Sequence, residues 1–371
     1  MVSELVVIAG LLVVFAAILT GPFRVPAVEH NLEVFLLIAG IVALTLSGLV
    51  VIPGVETGWS LEIMEEALTA PLYITDIFGI PIGIVQVVLL VGLILYVWHA
   101  PIQRGIAMMV SHLSLNIMIF SLIVVLGLVS SIISAIIASI ILVEVLCALP
   151  LQRKAQVAAT VAACFSIGLG AVLTPLGEPL STIVVSKLAG PPHFADFFYL
   201  FDLLAVYIIP GVVAFGIIGV VITRKFNEGA DATTCEVRRE SIREVLLRAV
   251  RVYIFIVALV LLGEGFKPLI LNYVIYIPSE GLYWVNTVSA VLDNATLAAA
   301  EVGPALSDLQ IKAVLMSLLV AGGMLIPGNI PNIIAAGKLK ITSREWAGLG
   351  IILGIPALLI YFAAVFLPVY L

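Results

Sequence analysis

Apolar residues along this chain run in long blocks rather than alternating with polar ones. Residues 5–19, 34–52 and 347–367 are such blocks, and they lack the every-second-residue alternation of membrane barrel strands. Only helices and closed barrels satisfy their backbone groups in hydrocarbon. The pattern therefore predicts an all-α polytopic membrane protein. Blocks of about 17 to 25 residues, the length that crosses a bilayer core, fall near 3–21, 33–52, 80–98, 155–173, 204–223, 250–266, 311–326 and 347–369. Two further apolar regions do not fit one span each: 107–149 is too long, and 282–306 is interrupted by Asp293-Asn294. Each is predicted to be a helical hairpin. The first also reads as two full spans, because residues 107–128 alone are long enough to cross.

Composition agrees with a lipid environment. The chain is 63% hydrophobic and 11% charged, against roughly 45–50% and 25% in soluble domains. Its net charge of -6 matters less than where Lys and Arg sit relative to the spans. The most basic segment, 224–249, carries Arg224, Lys225, Arg238, Arg239, Arg243 and Arg248. Placing it in the cytoplasm, against anionic headgroups, puts both termini outside a plasma membrane. Arg24, Arg104, Arg153, Lys154, Arg251, Lys338, Lys340 and Arg344 then fall inside, and Lys187, Lys267 and Lys312 outside. The first hairpin enters from the cytoplasm and the second from the exterior. Glu4 stands where a signal peptide would be basic, so the first block is read as a retained span. Cys147, Cys164 and Cys235 form no CxxC or Cys/His spacing, which indicates neither a zinc site nor a disulfide framework. Nothing supports nucleic-acid binding.

Each hairpin precedes one block that is interrupted by a proline-flanked turn. The first unit runs Ser134-Ala135-Ile136-Ile137-Ala138-Ser139, then Thr174-Pro175-Leu176-Gly177-Glu178-Pro179. The second runs Ser289-Ala290-Val291-Leu292-Asp293-Asn294, then Ile326-Pro327-Gly328-Asn329-Ile330-Pro331-Asn332. Ser134 precedes Pro175 by 41 positions and Ser289 precedes Pro327 by 38, and both turns have a Pro-x-x-x-Pro frame. This predicts two inverted-topology repeats, 30–190 and 204–371, within one transport domain of 1–371. Proline removes a donor and disfavours helix at the preceding residue, which opens polar backbone inside the membrane. Such backbone is tolerated where protein buries it or where it lines a cavity, so paired interruptions point to a binding site. The plainer reading is a pair of kinked, packed helices.

Asp293-Asn294 at a hairpin tip, with Thr174-Pro175-Leu176-Gly177-Glu178 and Pro327-Gly328-Asn329 in the interrupted helices, resembles the ion transporter superfamily. That superfamily includes NhaD-type sodium/proton antiporters, arsenite pumps and dicarboxylate carriers, and the nearest resemblance is to a branch of predicted cation transporters. It covers the chain from about residue 30 onward. It implies opposed re-entrant hairpins and unwound helices meeting at the midplane, a homodimer, and no cofactor beyond transported Na+ and H+. The first tip has Ala138-Ser139 where relatives often carry Ser-Asn-Thr or Asp-Asn, a departure from two symmetrical cation sites.

A carboxylate at the bilayer centre costs about 2.5–3.5 kcal/mol on insertion scales, so Asp293 is expected to be a principal ligand, with Asn294, for Na+. The alternative is an N-cap for residues 295–306. Glu178, in the opposing turn, is expected to approach the same cavity, or else to be a solvated turn. Two facing carboxylates resist ionising together, so Na+ and H+ would compete for one site. Asn294, Asn329, Asn332, Thr174, Ser139 and Ser134 offer neutral oxygens to a hard cation, or helix-to-helix hydrogen bonds. Glu144 and Glu301 on the second hairpin arms, and Glu264, are candidate proton-relay groups, with an aqueous mouth the plainer place for Glu264. His30, His99, His112 and His193 form no motif, although His112 is a candidate pH sensor. The resulting expectation is exchange of a monovalent cation for protons by alternating access. The alternatives are a cation-coupled carrier of a carboxylate or oxyanion, then a channel or an intramembrane enzyme. No Walker, HExxH or paired-Asp motif supports the enzyme.

Overall fold

Backbone groups that lose water to lipid must find partners within their own segment, and the apolar blocks fold accordingly as α-helices. The computed structural model describes residues 4–25, 27–28, 31–52, 56–72, 75–77, 80–83, 85–86, 88–90, 92–94, 96–97, 114–227, 241–273, 276–291, 294–304 and 306–370. In chain order the first elements are α1 (Glu4–Arg24), α2 (Leu32–Ser47), α3 (Leu61–Thr69) and an antiparallel ladder of β1 (Thr75–Ile77) and β2 (Ile80–Ile82). Then come α4 (Leu115–Ile133), α5 (Ala135–Ala148), α6 (Arg153–Ala171), α7 (Pro179–Leu188), α8 (Tyr199–Phe226) and α9 (Ile242–Tyr273). The last are α10 (Ser279–Val285) with a 3-10 turn over Asn286–Ala290, α11 (Asn294–Glu301), α12 (Asp308–Gly322) with a 3-10 turn over Ile326–Gly328, α13 (Ile330–Leu339) and α14 (Ser343–Tyr370). Of these, α4, α6, α8, α9 and α14 are long and apolar enough to cross a membrane. The chain is an all-α polytopic membrane protein.

Several elements depart from the sequence expectation. Helix α9 has 32 residues and begins at Ile242, so Arg243, Arg248 and Arg251 lie on a helix where the expected basic loop 224–249 would have ended. Arg224 and Lys225 fall in the last turn of α8, where the carbonyl end of the helix favours cations. The expected span near 80–98 starts as strand rather than helix: the β-branched Ile80 and Ile82 pair with Ile77 and Thr75. The described residues from 85 to 97 are helical. The block expected at 311–326 ends early, because α12 stops at Gly322 after 15 residues, about 22 Å of helix.

The chain folds as two compact units that interleave along the sequence. One comprises Met1–Leu93, Glu240–Pro278 and Thr296–Val302; the other comprises Ile94–Arg239, Ser279–Ala295 and Gly303–Leu371. In the first, α2 and α9 pack closely, with Leu44, Ile63, Ala67, Val257 and Leu261 forming a buried cluster. Arg251 pairs with Glu33 at 3.4 Å, and the Tyr253 hydroxyl donates to the Leu68 carbonyl at 3.0 Å.

The second unit is built around α6, which is buried over 94% of its apolar window. Hydroxyl groups register its neighbour: Ser166 donates to the Ile123 carbonyl at 2.9 Å, and Thr174 donates to the Ser131 carbonyl. Both bonds span 43 positions, so α4 and α6 run parallel. Helix α5, which joins them, returns in the opposite direction as a hairpin arm. With 19 residues α4 is long enough to cross, whereas α5 has 14, about 21 Å. The first hairpin thus has one full-length and one short arm. Of the second expected hairpin, this unit holds α10, its 3-10 turn and the start of α11 at Asn294-Ala295, and the Asp293 step lies outside the described residues. Helix α8 runs back along α6: Asn227 Oδ1 accepts from the Gln152 amide at 2.9 Å, and Phe165 stacks on Phe215 at 4.8 Å.

Candidate functional site

The first interruption follows α6 and is held by its own hairpin. Thr174 bonds back to Ser131 and accepts from the Leu176 amide at 3.3 Å, and the Gly177 carbonyl accepts from the Ala135 amide at 2.8 Å. A β-carbon on Gly177 would sit 1.8 Å from the Ala171 carbonyl oxygen, so the turn closes only with glycine. Glu178 stands at the N-cap position of α7 without a capping side-chain bond, and Pro179 takes the first helical position, where its missing N–H costs nothing. The Glu178 side chain is buried rather than forming a solvated turn. Ser134 sits between α4 and α5 at φ 75 and ψ 146, a region costly for a side chain. Its hydroxyl is buried without a hydrogen-bond partner. Ser139, also buried, donates to the Ala135 carbonyl at 2.6 Å within its own helix.

The second interruption is closed by an amide and two glycines. Asn332 Nδ2 donates to the Gly322 and Leu325 carbonyls, both at 2.8 Å, which satisfies the carbonyls that α12 leaves open at its end. This fixes the amide, and its Oδ1 is left buried with no donor. Asn329 stands at the N-cap position of α13, also without a capping side-chain bond and again with proline in the first turn. A β-carbon on Gly322 would lie 2.8 Å from the Gly328 carbonyl oxygen and 3.7 Å from Asn294 Nδ2. That amide nitrogen is likewise buried without a partner. Gly328 in turn faces the Ser289 and Ala290 carbonyls, and Ser289 donates to Leu318 at 3.1 Å. The first interruption therefore rests on the α4–α5 hairpin, and the second on the 3-10 turn that follows α10.

Asn294, Asn329 and Asn332 make up the second neighbourhood, at the second interruption, with Asn329 lying against Gly168 in the last turn of α6 and Cys164 Sγ 3.8 Å from the Pro331 carbonyl. Ser134, Thr174 and Glu178 form the first neighbourhood, at the first interruption just beyond the end of α6. The expected principal ligand, Asp293, lies outside the described residues, as do His30, His99 and His112. Glu264 pairs with Lys267 one turn along α9 at 2.9 Å, and Glu301 is buried. Among the described residues, no three His, Cys, Asp or Glu side chains gather as a metal cluster. The second neighbourhood offers instead amide, hydroxyl and backbone oxygens, which suit a hard cation.

Sequence reasoning missed the serines that hold the interrupted helices to the hairpins. Ser130 donates to Gly127 at 2.6 Å and Ile167 at 3.1 Å, Ser166 to Ile123, and Ser317 to Tyr283. A usable signal was present: Ser166 stands nine positions before Pro175, and Ser317 ten before Pro327. Equally, Lys187 follows Glu178 by nine positions, as Lys338 follows Asn329.

A family model described as "Protein of unknown function (DUF1646)" matches residues 8–368. No curated protein matches the chain.

Proposed function

The chain belongs to the DUF1646 family, and we propose that it is a secondary active transporter exchanging a monovalent cation, Na+ in the first instance, for protons by alternating access. The observation that carries this reading is the pair of proline-framed helix interruptions in one compact unit, each set on its own hairpin, with Ser134 and Asn332 oxygens buried and undonated. A buried acceptor without a donor costs about 1–3 kcal/mol, and a cation repays that cost. Asp293 is the principal ligand of the proposal, and Glu178 supplies a second, buried carboxylate for the proton. The architecture is that of inverted repeats, as in the ion transporter superfamily. The end of the second unit bearing Arg153, Arg224 and Lys225 is cytoplasmic, both termini are outside, and the membrane is the plasma membrane.

The test is reconstitution in liposomes with an internal pH dye, an imposed pH gradient, and addition of Na+, Li+ or K+. Exchange predicts cation-dependent proton movement that is lost in Asp293→Asn and weakened in Glu178→Gln. No proton movement with any cation, from folded protein, refutes it. Na+-driven uptake of a carboxylate without proton movement would replace it with a carrier whose half-helix N-termini hold the anion.

A further inference from the structure

Glu144 and Lys338 form an ion pair that the interruptions themselves do not need. Glu144 lies on α5 and Lys338 in the last turn of α13, with Nζ 3.2 Å from Oε1 and side chains only 10% and 13% exposed. Both helices begin at an interruption, α5 beside Gly177 and α13 at Asn329, and both run towards the start of α6. There Arg153 donates to the Leu339 and Lys340 carbonyls at 2.7 and 2.8 Å and pairs with Glu345 at 3.0 Å. Those two charged side chains are 42% and 36% exposed. Lys338 is nine residues beyond Asn329, about 14 Å along the helix. The pair thus lies between the second neighbourhood and the accessible end of the unit.

A buried ion pair is poor value for stability alone, since a well-packed apolar replacement is often neutral or stabilising. Resting on the exchange reading, we infer that Glu144 is a further cation-binding carboxylate on the route to the interruption, and that the Lys338 ammonium is its tethered competitor. When no ion is present, Lys338 occupies the carboxylate. An arriving monovalent cation takes its place, and the flexible lysine stem swings the ammonium towards the carbonyl end of α13. Replacing one monovalent cation by another leaves the net charge at Glu144 unchanged, so the carboxylate is never uncompensated in a low-dielectric setting.

The experiment titrates Na+ against proton movement in proteoliposomes of wild type, Lys338→Gln, Glu144→Gln, Lys338→Arg and the double variant E144Q/K338Q. Removal of the competitor should lower the half-saturating Na+ concentration by about fivefold or more, and removal of the carboxylate should raise it by a similar factor. Lys338→Arg keeps a fixed competing charge and should not lower it. The double variant removes both charges of this pair together, which spares the fold a buried unpaired charge from either single change, and it should behave as Glu144→Gln. Unchanged half-saturation in the double variant, or in both single variants, overturns the inference and leaves a structural clamp between α5 and α13. Absence of exchange in wild type would instead refute the exchange reading itself.

Discussion

Replacing Gly328 by alanine is the most direct challenge to the second interruption as described. The added β-carbon would stand 2.6 Å from the carbonyl oxygens of Gly322 and Ser289 and 2.9 Å from that of Ala290. Ordinary carbon–oxygen contacts lie at about 3.3–3.6 Å. All three oxygens belong to backbone, so no flexible side chain can yield, and the end of α12 or the hairpin must shift. Overpacking of this kind costs about 1–3 kcal/mol. Gly348 in α14 is the matched control, because a β-carbon there meets nothing within 4 Å. An alanine in that helix interior should gain about 0.5–1 kcal/mol. Thermal unfolding of both variants in detergent, at one scan rate because irreversible unfolding makes the midpoint rate-dependent, reads the difference. With about 2 °C per kcal/mol for a large domain, Gly328→Ala should melt about 2–6 °C below wild type and Gly348→Ala about 1–2 °C above. A Gly328→Ala protein that melts at or above wild type would refute the close approach of the interruption to its hairpin.

Other substitutions separate fold from ion binding. Asn332→Leu removes both bonds that close the end of α12 and should cost about 2–4 kcal/mol, seen as a lower melting midpoint. Ser134→Gly relieves a side chain held at positive φ, so the midpoint should rise by the equivalent of about 1 kcal/mol, while loss of the hydroxyl raises the Na+ concentration needed for half-maximal exchange. Ser139→Ala gives up only a bond within its own helix and should stay within about 0.5 kcal/mol of wild type. Arg153→Met loses two carbonyl bonds from a charged donor and a half-exposed ion pair, which together predict a loss of roughly 2–3 kcal/mol in the same assay.

The spans were legible because an apolar block long enough to cross the bilayer has few other uses, and the interruptions because proline has a fixed chemical consequence wherever it falls. Helix ends were less so. Arg243, Arg248 and Arg251 read as loop residues in a charge count, yet α9 carries them on its first turns before the chain becomes apolar. The shortness of α10 and α11 was visible in the polar Asp293-Asn294 step, whereas the full length of α4 depended on Ser134, a residue that announces neither a turn nor positive φ. The matching distances of Ser166 and Ser317 from their prolines mark those two as equivalent, but a hydroxyl in an apolar helix, Ser130 included, gives no sign of which neighbour it faces. The Glu144–Lys338 contact joins positions 194 apart, and nothing local to either residue names the other.

Helix α6 has a mean hydropathy of 1.3 where the four other long helices have 2.5, and it is also the most enclosed of the five. Its alanines, serines and glycines fit protein rather than lipid. During synthesis such a segment gains little by partitioning into the bilayer alone, on a scale where apolar side chains contribute only about 0.3–0.6 kcal/mol each. Its entry would have to be cooperative, with α4 and α5 already in place and α8 arriving soon after. A nascent chain halted just beyond Ala171 should leave α6 poorly inserted, and one extended through Phe226 should recover it. The residue choices that let the centre of this unit pack tightly thus also set the order in which it is assembled.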